Sequence, residues 1–529
     1  MATEEAVTVH AVVDPGPDLK LGVDVDAVPP GAFLVGHAGE DSVLLAHLND
    51  GFHAVSATCT HYGAHLGGGL LADNEIRCPC HHAAFDVRTG AALRAPAFRA
   101  LKTWRTETRQ GRGFVREEVR RAEPSRTPGR RHPRRVVIIG GGAAGYAAAE
   151  RLHARGFDGE LTIISADASA PYDRPNLSKG FLAGTAPREW IPLSDFAAYA
   201  QRGISLRLNR RVSAIDCGTR RVITDRGGHI PFDALLLATG AAPRRLAPLG
   251  GHGRVFLLRT LKDAERLISF VSDASNWSAV VVGSGFIGLE VAAALRHRGL
   301  DVQIVSRDAH PLGRQLGSDA GRMLQRLHEA QGVRFHNGRA VEAYQGRALR
   351  LDDGTTLPAD IVVVGVGVLP CSRLATEAGI ATQNGILVDA CLRTSVKGIY
   401  AAGDVACYPH RGEPIRVEHW VHAMRQGEVA ADNMLGDERP FDAVPFFWTE
   451  QYGVELRASG WLGGWDACQS EGSIADRDLL VRYFRHGRPC GVLTVGRDRE
   501  NLEFERESEK EGSHVTREPC STSAPVTAG

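Results

Sequence analysis

This sequence predicts a multidomain α/β protein. A strand, a glycine turn and a helix occur in that order twice. The first copy is the apolar run Val136–Ile139 followed by Gly140, Gly142 and Gly145; the second is Ala279–Val282 followed by Gly283, Gly285 and Gly288. Each copy has a matching echo downstream: Leu235-Leu236-Leu237-Ala238-Thr239-Gly240 before Pro243, and Val362-Val363-Val364-Gly365-Val366-Gly367 before Pro370. Ahead of both lies a stretch of short apolar runs and turns (Ala32–Val35, Ser42–Leu45, His53–Val55), which reads as a small all-β domain over residues 1–117. The chain's 529 residues are too many for one core and divide into several.

Each glycine of a GxGxxG turn has its own work. The first permits the tight turn, the second lets backbone approach a pyrophosphate, and the third lets helix pack on strand. The helix start then offers unpaired N–H groups and a partial positive charge to phosphates. In the first copy Ala143 and Ala144 open the helix beside Gly145; in the second Phe286 and Ile287 stand before Gly288. Two Rossmann-like dinucleotide units follow from this spacing.

The end of each unit's second strand reads the adenosine ribose. After Leu161–Ile164 come Ser165, Ala166 and Asp167, so the acid stands one step beyond its usual place; Asp167 is still assigned the ribose contact. After Val302–Val305 come Ser306 and Arg307. A neutral residue followed by Arg suits the 2′-phosphate of NADPH, whereas an acid there would suit NADH.

Bulk composition excludes several classes. Lys plus Arg and Asp plus Glu are equal at 62 each, so nothing calls for nucleic acid as a partner. No apolar run is long enough to span a bilayer. The N-terminus has neither a basic region nor an apolar core of the secretory type, and a cytoplasmic location is expected. Ten cysteines in so long a chain do not make a disulfide framework.

Three of those cysteines fall close together with histidines. Cys59-Thr60-His61 and Cys78-Pro79-Cys80-His81-His82 give C-x-H, sixteen residues, then C-x-x-H. Two Cys and two His on paired loops suit zinc or a [2Fe-2S] cluster with mixed ligands. Zinc modules usually open with C-x₂₋₄-C and close with H-x₃₋₅-H. The spacing here instead resembles the Rieske pattern, two Cys on one iron and two His on the other. That resemblance implies Cys59, His61, Cys78 and His81 as ligands. Respiratory Rieske proteins carry a disulfide-forming Cys where this chain has Ala64, so Cys80 is expected to be a thiol, as in soluble Rieske ferredoxins. His82 stands where the family has Gly and is read first as an extra surface histidine, the alternative being that it crowds the cluster loop.

Further motifs narrow the reductase part. The stretch Thr394–Asp404, ending Ala401-Ala402-Gly403-Asp404, resembles the second FAD motif of the two-dinucleotide flavoprotein disulfide-reductase superfamily. Pro171-Tyr172-Asp173-Arg174-Pro175-Asn176-Leu177-Ser178-Lys179 resembles its ferredoxin-reductase and apoptosis-inducing-factor branch. The resemblance implies that Arg174, Thr239, Gly240, Gly403 and Asp404 contact FAD. It implies that Lys179 and Glu290 pair where the nicotinamide arrives, and that Glu418, His419 and Trp420 run past the flavin ring. It also implies a small α/β domain over 441–505. Neither cysteine spacing of the disulfide reductases occurs beside these motifs, so thiol–disulfide exchange is disfavoured.

The expected division is a Rieske domain over 1–117 and an exposed linker over 118–134. FAD-binding parts follow over 135–258 and 377–440, around an NAD(P)-binding domain over 259–376. The C-terminal domain comes next, and a tail over 506–529 reads as disordered from its composition. The implied function is an NAD(P)H-dependent flavoprotein reductase, with FAD and a Rieske cluster as cofactors, passing electrons to a redox protein or a small acceptor. The alternative is a slowly turning redox-responsive binding protein of the apoptosis-inducing-factor type. A monomer or a homodimer fits either.

Overall fold

The computed structural model describes residues 16–119, 133–250, 253–274 and 276–515. The chain divides into two compact units, Met1–Glu123 and Pro124–Gly529. Residues 120–132 of the expected linker lie outside the described residues.

The first unit is all β, as its alternating pattern requires. Six antiparallel strands form one sheet, among them Phe33–Ala38, Asp41–Leu48, Gly51–Ser56, Thr103–Arg109 and Arg112–Val119. The last strand runs two residues past the expected boundary. Four short strands, Leu70–Ala72, Glu75–Arg77, Ala84–Asp86 and Ala92–Arg94, make a second sheet. Leu44, Val55, Leu66, Ile76 and Phe85 are fully buried, and they pack in one cluster with Cys59 and Cys78. The Cys/His loops are therefore anchored in core at their first residues.

The second unit contains two parallel five-stranded sheets of the same design. In the first the order is Ile204–Arg207, Glu160–Ile164, Arg135–Ile139, Ala234–Leu237, Ile399–Ala401. In the second it is Arg334–Asn337, Asp301–Ser306, Ser278–Val282, Ile361–Val364, Val255–Leu257. Their central strands, Val136–Ile139 and Ala279–Val282, are buried throughout, which is why they read as continuous apolar runs. A short antiparallel pair, Ala241–Pro243 with Val368–Pro370, joins the two halves through the residues of the downstream echoes.

Helix Trp420–Met434 lies against helix Ala143–Ala154. The approach is close because Gly427 has no Cβ: one built there would stand 2.2 Å from the Ala144 carbonyl oxygen. Asp432, buried on that helix, takes Arg151 at 2.7 Å and Arg155 at 2.6 Å.

Strands Phe446–Gln451, Val454–Gly460, Arg488–Val495, Asp478–Arg485 and Ala467–Ser473 form an antiparallel sheet backed by helix Asp498–Val515. That helix corrects one expectation. Residues 506–515 continue it and do not belong to a disordered tail; 516–529 lie outside the described residues. The charge-rich sequence conceals a buried face: Asn501, Leu502 and Glu505 are fully buried. Asn501 donates to the Arg457 carbonyl, and Glu505 holds the buried Arg425 at 2.7 Å. Tertiary partners stabilise a helix whose composition alone would not.

Candidate functional site

The two cluster loops are built alike. The Cys59 N–H donates to the Ala64 carbonyl and the Gly63 N–H returns to Cys59; in the second loop Cys78 pairs with Ala83 and His82 with Cys78. Gly63 and His82 hold the matching left-handed positions, with φ of 74° and 58°. This explains why the family places Gly where this chain has His82. It also corrects the surface reading of His82, whose side chain is fully buried.

The Cys59 and Cys78 thiols hydrogen-bond one another. His61 and His81 sit edge to face, with ring centroids 5.0 Å apart. Burial pushes His61 down to about 3, which keeps its imidazole in the neutral form that metal ligation needs. The C-x-H and C-x-x-H spacing of the two loops suits a pair of irons, two Cys on one and two His on the other, better than the usual zinc modules. Cys80 is in the thiol form.

In the second unit both glycine turns open on one cavity of about 1550 Å³. One small-ligand pocket is about 300–1,000 Å³, so this space suits two extended cofactors. Gly140 and Gly283 have φ of 116° and 110°, and a Cβ on either would stand 2.1–2.2 Å from a carbonyl oxygen. Gly142 and Gly285 face open space: a Cβ there would meet nothing within 4 Å. No side chain caps either helix start, so the N–H groups of Ala143, Ala144, Phe286 and Ile287 point toward that space. This is the cradle a pyrophosphate needs, present twice. Gly145 and Gly288 do not line the cavity. They pack helix on strand, where a Cβ would fall 2.0 and 2.1 Å from the Gly140 and Gly283 carbonyls.

Most other expected residues meet in the same cavity. Its lining includes Asp167, Arg174, Lys179, Thr239, Gly240, Glu290, Arg307, Gly403, Asp404, Glu418, His419 and Trp420. Lys179 and Glu290, far apart in sequence, form an ion pair of 2.8 Å, with side chains 15 % and 2 % exposed. The Lys179 ammonium also lies 5.7 Å from the Trp448 ring centre. Arg174 donates to the Arg259 carbonyl; burial, with Arg259 alongside, lowers its pKa from the ordinary value. The Asp167 carboxylate accepts from the Ser169 N–H and from the Tyr172 hydroxyl at 2.7 Å. Burial pushes Tyr172 up to about 12, which keeps that phenol a donor. Glu418 is paired with Arg416, and His419 packs on Phe447 with centroids 4.7 Å apart.

Four neighbours escaped the sequence reading. Arg259 pairs with Asp404 at 2.8 Å, Ser178 and Thr449 both donate to Glu290, and Ser284 donates to Ser306 at 2.8 Å. Ser178 had a signal, its place beside Lys179. Thr449 had none, being 159 residues from its partner.

Residues 134–427 match the pyridine nucleotide-disulphide oxidoreductase model. The chain belongs to that family. Residues 22–105 match the Rieske [2Fe-2S] domain and 446–518 the reductase C-terminal domain. Apoptosis-inducing factor 3 of Homo sapiens is 31 % identical over 87 % of this chain and 79 % of its own length. Rhodocoxin reductase of Rhodococcus erythropolis is 37 % identical over 69 % of this chain and 87 % of its own. Among solved structures, the covalent putidaredoxin reductase–putidaredoxin complex superposes with a TM-score of 0.68 at 32 % identity, covering 71 % of this chain and 93 % of that one. This family member is thus an FAD-dependent oxidoreductase with a Rieske [2Fe-2S] domain and NAD(H)-type chemistry. No helix among the described residues is long and apolar enough to cross a membrane.

Proposed function

We propose that the protein is an NAD(P)H-dependent reductase whose electrons leave through its Rieske domain to a ferredoxin-type protein or a small acceptor. The observation that carries this is the Lys179–Glu290 pair, set in one cavity between two pyrophosphate cradles. FAD bound there would take a hydride from the reduced nicotinamide and release its electrons singly, chemistry that no side chain supplies.

The chain's own residues bind and orient. Gly140, Gly142 and the helix start at Ala143 hold the FAD pyrophosphate, and Arg174 and Asp404 hold its flavin side. Gly283, Gly285 and the helix start at Phe286 hold the nicotinamide dinucleotide. Lys179 and Glu290 place its reactive ring. Cys59, His61, Cys78 and His81 hold the cluster. Residues 135–258 and 377–440 serve FAD, and 259–376 serve NAD(P)H.

Ser306 and Arg307 favour NADPH over NADH. Ser306 is buried and hydrogen-bonded by Ser284, Arg307 is exposed at the cavity rim, and the carboxylate that follows, Asp308, is held by Arg314 at 2.7 Å. Two relatives named as NAD(+) reductases weigh toward the other coenzyme. We assign the protein to the cytoplasm, where both coenzymes are supplied.

An anaerobic titration of the holoprotein with NADH, and separately with NADPH, tests this. Flavin bleaching together with a growing Rieske EPR signal is the expected result. A bleached flavin beside a cluster that stays oxidised would replace the internal path with the redox-responsive binding reading.

A further inference from the structure

Glu290 is 3 % exposed and charged in its ion pair, so every lone pair must find a donor. Oε2 accepts from the Ser178 hydroxyl, and Oε1 takes Lys179. The remaining donor is the Thr449 hydroxyl, 2.6 Å from Oε1. Thr449 lies behind the cavity wall on strand Phe446–Gln451 and is fully buried.

Thr449 has one hydroxyl proton, and the carboxylate uses it. At its other contact Thr449 must accept, so Gln451, 3.0 Å away, presents its amide NH₂. Thr449 and Gln451 are two apart on one strand and share a face. With its NH₂ committed, Gln451 turns its carbonyl to His328 Nε2 at 3.0 Å, and that nitrogen must carry the proton. His328 is fully buried, and burial brings its pKa down to about 4. The ring is neutral near pH 7, so Nδ1 is left to accept from the Tyr452 hydroxyl at 3.3 Å.

All four bonds therefore point the same way. We propose that this one-way chain, Tyr452 to His328 to Gln451 to Thr449, is a positioning device that holds the Glu290 carboxylate, and through it Lys179, in the geometry that receives the nicotinamide. It rests on the reading of Lys179 and Glu290 as the nicotinamide-side pair. It is not a proton path, because the Gln451 amide can neither take up nor pass on a proton at neutral pH. It links helix Gly313–Glu329, the C-terminal sheet and helix Phe286–His297, so the domain that ends the chain sets the geometry of the pair.

Thr449→Val keeps the shape and removes the donor; Thr449→Ser restores it. In the Val variant the limiting rate of anaerobic flavin reduction by NADH or NADPH falls about tenfold, roughly 1.4 kcal/mol of barrier. Its FAD content, its reduction by dithionite and its calorimetric Kd for NAD⁺ stay within about twofold of wild type, because orientation is lost and not binding. The Ser variant returns to the wild-type rate. Tyr452→Phe, at the half-buried far end, slows reduction about twofold and decides the matter if Thr449→Val loses its FAD. A wild-type limiting rate in Thr449→Val, an equal loss in Thr449→Ser, or an unchanged rate in Tyr452→Phe where that variant decides, overturns the proposal. Wild-type protein that neither coenzyme reduces would overturn the nicotinamide reading itself, a separate outcome.

Discussion

The two dinucleotide halves of the second unit repeat each other down to single hydrogen bonds, yet differ where specificity is set. In the first half the Asp167 N–H donates to Ser165 Oγ at 3.1 Å; in the second the Asp308 N–H donates to Ser306 Oγ at 3.2 Å. The N–H of Arg210 returns to Ser165, and that of Arg339 to Ser306, both at 2.9 Å. The same Ser-x-Asp turn thus ends the second strand twice. Between its Ser and Asp stands Ala166 in one half and Arg307 in the other. The first Asp is tied to the Tyr172 phenol, the second to Arg314 at 2.7 Å. The backbone frame is shared because pyrophosphate binding is a backbone task. The side chains diverge because reading a ribose or its phosphate is a side-chain task.

The largest way to separate the halves is to spoil one helix–strand junction at a time. Gly145→Val and Gly288→Val each drive side-chain atoms into a carbonyl about 2 Å away, a cost of about 3 kcal/mol or more. Gly145→Val should purify with little flavin, judged by visible absorbance. Gly288→Val should keep its flavin and lose reduction by either coenzyme by roughly two orders of magnitude. Loss of flavin from both variants would show that the halves do not bind independently.

Next comes Lys179→Met. It leaves the Glu290 carboxylate buried without its cation, a loss of about 3–5 kcal/mol when one partner of a buried pair is removed. Stopped-flow reduction by NAD(P)H should slow about a hundredfold or more, with dithionite reduction unchanged. An unaltered rate would remove the pair from the nicotinamide site.

A smaller effect sharpens the Ala166–Arg307 contrast. Arg307→Glu should lower the ratio of kcat/KM for NADPH over NADH about tenfold or more by placing like charge against the 2′-phosphate. An unchanged ratio would mean that Arg307 faces solvent.

The smallest effect is on acid stability. His328 in the second half is fully buried, with a folded pKa of about 4 against an ordinary 6.5. Between those values the unfolded chain binds the proton and the folded one does not. The contribution is therefore fully present above about pH 6.5 and is lost as pH falls toward 4. By pH 5 roughly 2 kcal/mol of it is lost. Urea midpoints at pH 7 and pH 5 should fall less for His328→Gln than for wild type, and parallel losses would refute the assignment.

Much of this was legible in the chain because it is local. A GxGxxG turn needs glycine for reasons within a few residues, and buried parallel strands announce themselves as apolar runs. The paired Cys and His residues sit in two short loops with diagnostic spacing. Lys179 and Glu290 were named only through family resemblance, since no spacing rule joins two residues 111 positions apart. His82 was misread because a left-handed backbone angle leaves no mark on a histidine. The helix over 506–515 was misread because its charges hide one buried face.

By itself, then, the sequence determined the order of domains, both glycine turns and the two Cys/His loops, all of them set by backbone conformation and near-neighbour spacing. Tertiary structure alone decided which donors surround Glu290. Thr449, Gln451 and His328 come from a strand and a helix 159, 161 and 38 positions from it in sequence. A buried carboxylate selects its partners by proximity in space, and only the folded packing of three elements creates that proximity.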